Sequence, residues 1–394
     1  MRQFIFTLVM TSLFFSCKAQ VGSESNEEIK NSNSINTYSS PLNAAPAYNS
    51  TTINSADSVT FKIESKKEAK GKSYKMRSKD LESTKTTQLN NSFNQTKRVA
   101  SRQDFQRSPT IEQQVKMDEI SKQMLEDNPE GMESNLNYYS AGNYSVDREV
   151  NLKKAQNLQP QNPDILKYVA ANALIKDNKE EAKISLSQLN AMSTLSNESI
   201  SYGQDIVESA CGNSTLITHG FNDTYGVSYV QINNYDNCSS NLNIISLDFL
   251  QSDFYRKRLS NDGYYVPQSK IINVAFLKEF CEKNSFKNIA ISMTLPKPYL
   301  IELAPKLYPA GVVFEYGDKP RKSYEELANL WNKKLNKKVI YNYQSPLSNK
   351  LSANYLPLLI YLSQYNQNNS YDLKQNQYNT EIKRIMEKAK LNKK

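Results

Sequence analysis

The chain of 394 residues has a single histidine, His219, and only four cysteines, eleven glycines and one tryptophan. One histidine is too few for a His-rich metal site, and the cysteine spacing matches no zinc pattern, so no metal and no cofactor is expected. The glycines form no Gly-x-Gly-x-x-Gly run and no phosphate loop, and there is no Gly-x-Ser-x-Gly elbow. No spaced carboxylate pair of glycosidase type stands out. Apart from the N-terminus, no stretch approaches the ~18 consecutive apolar residues that a membrane span needs.

What the chain has in quantity is Lys, Asn, Ser and Tyr, with a net charge of +9. The charge is uneven. Residues 61–110 carry thirteen Lys/Arg against five Asp/Glu, and residues 380–394 carry six against two, so the excess belongs to two flanking segments. A basic flank attracts anionic lipid headgroups or acidic polysaccharide, or simply keeps a linker solvated. It lacks the aromatic interleaving that single-stranded nucleic acid requires, so nucleic acid is not an expected partner.

The N-terminus reads "MRQFIFTLVMTSLFFSCKAQ": a basic residue at Arg2, an apolar core from Phe4 to Phe15, then Ser16 and Cys17. That core is too short to span a bilayer and has the form of a secretory signal. In one reading residues 1–17 end in a lipobox and Cys17 is lipidated, with Lys18 after it favouring the outer membrane. In the other, the cut follows Ala19 or Gln20 and the product is a soluble secreted protein. In an oxidising compartment Cys211 and Cys238 are the expected disulfide pair, against the alternative of three buried, unpaired thiols.

Residues 18–108 are rich in Ser, Asn and Thr without apolar periodicity and are expected to be a disordered tether. Residues 109–200 turn helical. Leu152, Ala155 and Leu158 share a face before Pro160 and Pro163; Ile165, Val169 and Ala173 form a second stripe, with Asp164 near the cap; Ala182, Leu186 and Leu189 form a third. The Leu-x-x-Ala-x-x-Leu-x-Pro-x-Asn-Pro-Asp junction resembles a tetratricopeptide repeat, of which about one and a half copies are visible. Fewer than three such repeats rarely bury a core alone, so the unit is expected to pack on its neighbour.

Residues 201–320 alternate apolar strands ("STLITHG", "NLNIISLD", "NIAISMTL", "AGVVFEYG") with helical segments. The expected fold class is α/β: a short tetratricopeptide-like segment packed on a small, mostly parallel sheet with helices on both faces. Residues 321–394 are expected to be C-terminal helices and a basic tail, with Trp331 and Leu359 against the body.

Ligands of such sheets sit outside the carboxyl ends of the strands. His219, Gly220, Asn222 and Asp223 fall at the end of the first strand, Asp248 at the end of the second, and Asp253 in the following helix. If the chain is an enzyme, His219, Asp223 and Asp248 are the candidates for acid and base; Gly220, Asn222, Asp223, Thr224 and Asp253 are candidates for ligand binding at a helix N-terminus. The alternative is that Asn222 or Asp223 caps the helix, Thr224 supports the cap and His219 packs at the strand edge.

"LITHGFNDTYGVSYVQ", "LNIISLDFLQSDFY", "NIAISMTLP" and "LYPAGVVFEY" resemble the soluble tail of bacterial polytopic proteins classed as O-mannosyltransferase-like. Gly220, Asn222, Asp223 and Thr224 match that family's Gly-Asp-Asn-Asp-Thr signature, and Ser252, Asp253, Phe254 and Tyr255 match its second turn. Phe221 replaces the family's first Asp, and the multi-span membrane part is absent from residues 1–394. The resemblance implies a sensing, binding or docking domain rather than a transferase. With the signal, it implies an outer-membrane-anchored lipoprotein that serves as a non-enzymatic accessory or scaffold subunit of a cell-envelope protein complex. The alternative is binding or hydrolysis of a glycan or sugar phosphate around His219 and Asp223.

Overall fold

A computed structural model describes residues 73–100, 107–233 and 241–390. The expected signal, Cys17, most of the expected tether and Cys238 lie outside the described residues. Of the described residues 68% are helical, packed around one small mixed sheet of five strands.

The first departure from expectation is at the tether. Ser73–Ala100 is a helix, α1, with neither Gly nor Pro to break it and with Lys97 and Arg98 in its last turn, where cations complement the helix dipole. Phe93 is fully buried and Ala100 nearly so. Composition hid this because one aromatic anchor and a few aliphatics suffice when a neighbour supplies the rest of the surface. The chain is docked again at Arg107, whose N–H donates to the Ile272 carbonyl (2.7 Å), and at Ser108, whose hydroxyl accepts from the Ile272 N–H (2.8 Å).

Helices α2 (Ile111–Asp127), α3 (Met132–Ala141), α4 (Glu149–Leu158), α5 (Pro163–Ile175), α6 (Lys179–Ala191) and α7 (Asn197–Ala210) follow. α2 opens on a capping box of Thr110 and Gln113. α5 opens on Asn162, whose side chain accepts from Asp164 and Ile165 N–H, with Pro163 in the first turn. Asp164 lies two residues after the cap, in the first turn of the helix. Leu152, Ala155, Ala182, Leu186 and Leu189 are buried, whereas Leu158 is 53% exposed. α5 buries nearly every side, as a helix enclosed by neighbours must.

The sheet runs β2-β1-β3-β5-β4, with β1 Thr215–Thr218, β2 Asn243–Ser246, β3 Ile289–Ser292, β4 Leu307–Pro309 and β5 Val313–Tyr316. β1 is parallel to β2 and β3, whereas β5 is antiparallel to β3 and to β4. The expected mostly parallel sheet is thus half antiparallel. The reason is connection length. β1 and β2 are joined through α8 (Gly220–Ile232), and β2 and β3 through α9 (Asp253–Asn261) and α10 (Val274–Lys283), crossovers long enough for parallel pairing. After α11 (Lys297–Leu303), β4 and β5 are separated by three residues, which permits only a hairpin. Gly311 in that turn has φ +96°, and a Cβ there would lie 2.1 Å from Ser209 Oγ.

Successive strand residues point to opposite faces, so the sheet divides two cores. Ile217, Ile245, Ile289, Ile291 and Phe314 face a core shared with α3–α6 and α9–α11. Leu216, Ala290 and Val313 face a core shared with α7 and with the C-terminal helices α12 (Tyr324–Asn329), α13 (Lys338–Tyr341), α14 (Pro346–Ser352), α15 (Leu356–Asn368) and α16 (Asp372–Lys388), including Trp331 and Leu359. α7 and α8 approach closely where both lack a side chain: a Cβ on Gly203 would meet the Gly226 backbone at 2.7 Å. β2 is an edge strand, but its outer side is occupied. The Tyr255 hydroxyl lies 3.2 Å from the Ile244 carbonyl and 3.4 Å from the Ser246 N–H, and Gln231 donates to the Leu242 carbonyl.

Candidate functional site

β1 ends at Thr218, and His219 is the N-terminal flank of α8 without making a side-chain cap. Gly220 follows with φ +74°, a conformation strained for any residue with a Cβ, and this bend turns the chain from strand to helix. Asp248 stands two residues past β2, and Ser292 closes β3. Three strand ends therefore converge on one buried cluster.

Asp248 is held on two sides. One oxygen accepts the Gly220 N–H (2.7 Å) and the other the Arg107 guanidinium, at 2.7 Å from Nε and closer still from a terminal nitrogen. Both side chains of this ion pair are under 5% exposed. Burial pushes the Asp248 pKa up, but Arg107, with the Gly220 N–H, overrides it and holds the carboxyl below its ordinary value. Asp223 lies beside it with no cation. Its oxygens accept the His219 N–H (2.9 Å), the Ser292 hydroxyl (3.1 Å) and the Thr294 hydroxyl (2.8 Å). Burial dominates here and raises the pKa to about 7.

His219 is buried, and neither ring nitrogen has a hydrogen-bond partner. Burial first and the Arg107 charge second lower its pKa to about 3, so the ring is neutral at physiological pH. The Thr294 main chain favours the protonated ring, yet it falls outside hydrogen-bond geometry. A buried polar atom without a partner costs on the order of 1–3 kcal/mol, which makes this ring the one unsatisfied member of the cluster.

The fold thus brings together His219, Gly220, Asp223 and Asp248. Thr224 joins them to the sheet, its hydroxyl 3.0 Å from Thr218 Oγ1 and 3.2 Å from Ser246 Oγ. Asn222 turns away to α7, where it accepts the Ser199 hydroxyl (2.9 Å), so it caps nothing. Asp223 is likewise not the cap but ties down the N–H of the residue that precedes the helix. Asp253 is exposed in the first turn of α9, outside the cluster. Phe221 packs against Tyr225 with ring centroids 4.6 Å apart. Ser252 and Tyr255 of the second motif have structural tasks: Ser252 caps α9 and donates to the Tyr144 carbonyl, and Tyr255 covers the β2 edge.

The residue that composition placed in the tether, Arg107, is the one the cluster depends on. Its signal was indirect: a carboxylate at a buried strand end needs a cation, and Arg107 stands just before the capping box that starts α2. Ser292 and Thr294, in "ISMTLP", were equally available as donors but carry no motif. The helix N-terminus is already spent on carboxylates of the chain itself, and the acid with a pKa near 7 is 2% exposed and triply hydrogen-bonded. Among the described residues no group of three or more His, Cys, Asp or Glu is placed to hold a metal ion. Cys211 is disulfide-bonded, and Cys281 is free and buried. Comparison with protein-family models, curated proteins and solved structures finds no match for this chain.

Proposed function

We propose that the protein is a lipid-anchored accessory subunit of the cell envelope, held to the outer membrane through Cys17 and docking another envelope protein through its helical half. The observation that carries this reading is the closure of the strand-end cluster. His219, Asp223 and Asp248 are each at most 3% exposed, and both carboxylates are committed to donors from the chain. A constellation so paired serves to join the segment before α2 to the sheet, which is a scaffold's requirement, whereas a reaction centre needs open valences and access.

The helical half presents the complementary feature. Ile111 and Val115 on α2, Val150 and Leu158 on α4 and Ile184 on α6 are all more than half exposed. Apolar side chains on the helices of a repeat-like unit are the usual material of a protein-docking surface. The packing of α3 on α4 and of α5 on α6 is compatible with tetratricopeptide-like pairs, and we read it so. A kinship with the soluble tail of O-mannosyltransferase-like proteins fits the same role, since that tail is the part without the membrane machinery.

The test has two arms in the native host. Metabolic labelling with an alkyne-tagged fatty acid is expected to mark the wild-type chain and not Cys17→Ala, with the label in the outer-membrane fraction. Cross-linking in intact cells is then expected to join the protein to one envelope component, and Ile111→Glu/Val150→Glu is expected to abolish that product. An unlabelled wild-type chain, or a cross-linking pattern untouched by the double variant, would contradict the proposal.

A further inference from the structure

A second polar concavity lies along the outer flank of β2, away from the strand ends. It encloses about 280 Å³, near the lower end of the ~300–1,000 Å³ of small-molecule sites. One wall is the polar face of α8, where Thr224, Ser228 and Gln231 recur at helical spacing; the opposite contributions come from Asn243 on β2 and Arg258 on α9. Phe249 and Tyr255 supply aromatic surface, and Lys179 stands at the rim.

The charge balance of this cleft is unlike that of the strand-end cluster. Arg258 is half-buried, and its Nε is buried without a hydrogen-bond partner. One terminal nitrogen donates to the Leu174 and Ile175 carbonyls at the end of α5 (2.9 and 2.8 Å), and the guanidinium carbon lies 4.9 Å from the Tyr255 ring centre. Among the described residues no carboxylate pairs with Arg258 or with Lys179 in an ion pair. Asp177 at the rim is exposed and is the only lining acid among the described residues. A guanidinium held in place by two carbonyls, with no carboxylate in an ion pair with it among the described residues, brings an uncompensated positive charge to the cleft, which suits an oxyanion. Around it stand hydroxyl and amide side chains, Ser228 and Asn243, which exchange hydrogen bonds with neutral hydroxyl groups.

We infer that this cleft binds a small hydroxylated anion, a sugar acid or a sugar phosphate, with its anionic group toward Arg258 and Lys179 and its hydroxyls toward Ser228 and Asn243. The inference does not rest on the docking role proposed above, because it uses neither Cys17 nor the exposed helical face.

Titration calorimetry on the full chain in detergent tests it, with glucose 6-phosphate, glucuronate, glucose and inorganic phosphate as probes. At least one of the two anionic sugars is expected to bind, and to bind at least ~10-fold more tightly than glucose and than inorganic phosphate. Which of the two binds identifies the source of the anion. Arg258→Gln is expected to weaken that binding at least ~10-fold. Because Arg258 also caps α5, Ser228→Leu is the second variant: it fills the cleft from the α8 side and is expected to abolish binding while thermal unfolding stays cooperative. Failure of both anionic sugars, equal binding of glucose or inorganic phosphate, or unchanged binding in Ser228→Leu would each overturn the inference.

Discussion

The two polar regions around β2 are built from similar residues and behave oppositely. At the strand ends, two buried carboxylates, a guanidinium, two hydroxyls and two backbone N–H groups satisfy one another, and only the His219 ring is left over. Along the β2 flank, a guanidinium and an ammonium line an open space and make no ion pair among the described residues. The difference teaches that a motif's position at the carboxyl ends of strands does not decide whether it is a site. What decides is whether the valences are already taken. Asp248 and Asp223 make the same point on a smaller scale: one has Arg107 and keeps its charge, the other has only neutral donors and is driven toward protonation.

The sharpest way to break the closed side is Arg107→Ala. It leaves Asp248 buried without its cation, and removing one partner of such a pair costs about 3–5 kcal/mol. Thermal unfolding should fall accordingly, with loss of protection in α1 as well as in α8, because Arg107 fastens the docked segment to the sheet.

A second prediction separates Asp223 from His219 by pH. Asp223 has a folded pKa of about 7 against an ordinary 3.8, so the folded state binds more protons between those values and its stability falls as pH rises from about 4 to 7. His219 has a folded pKa of about 3 against an ordinary 6.5, so the unfolded state binds more protons and stability rises over about 3 to 6.5. The two slopes oppose across roughly pH 4–6.5. Unfolding free energy in denaturant titrations should therefore fall more steeply with pH in His219→Gln than in the wild type, and rise with pH in Asp223→Asn relative to it. Asp205, which accepts from Asn336, Lys337 and Tyr355 outside the cluster, titrates alike in all three proteins. Asp248, though coupled to both residues, is held below its ordinary value of 3.8, so above about pH 4 the differences isolate the pair. Parallel profiles would contradict the assignment.

Tyr255→Phe lies on the boundary between the two regions. It strips the hydroxyl from the Ile244 carbonyl and the Ser246 N–H, which is expected to cost about 1 kcal/mol in chemical denaturation. The smallest effect belongs to the open side. Lys179 is exposed and makes no ion pair among the described residues, so Lys179→Ala should change stability by less than about 0.5 kcal/mol. It should nonetheless weaken anionic-sugar binding, a combination that a purely structural lysine would not give.

Much of this arrangement is legible in the residues. The apolar runs at 215–218, 243–246, 289–292 and 313–316 mark four strands, and the same runs place His219 and Asp248 at adjacent ends. Three things are not legible. α1 and Arg107 sit in a segment whose polar composition resembles a linker, and their burial depends on surface supplied from far along the chain. β4 is three residues long and pairs only because the Gly311 turn folds it onto β5, so a local pattern of period two never appears. The β2 flank has no motif at all: its lining comes from α5, α6, α8, β2 and α9, and only the fold assembles it.

The claim that the strand-end cluster is a structural lock is most directly tested by amide hydrogen exchange at Arg107, His219 and Gly220, whose N–H groups donate to Ile272, Asp223 and Asp248. The account predicts that all three exchange as slowly as the interior strand β1. Exchange of His219 and Gly220 at the rates of an open loop, with β1 still protected, would mean that the cluster opens in solution and would return it to candidacy as a reaction centre.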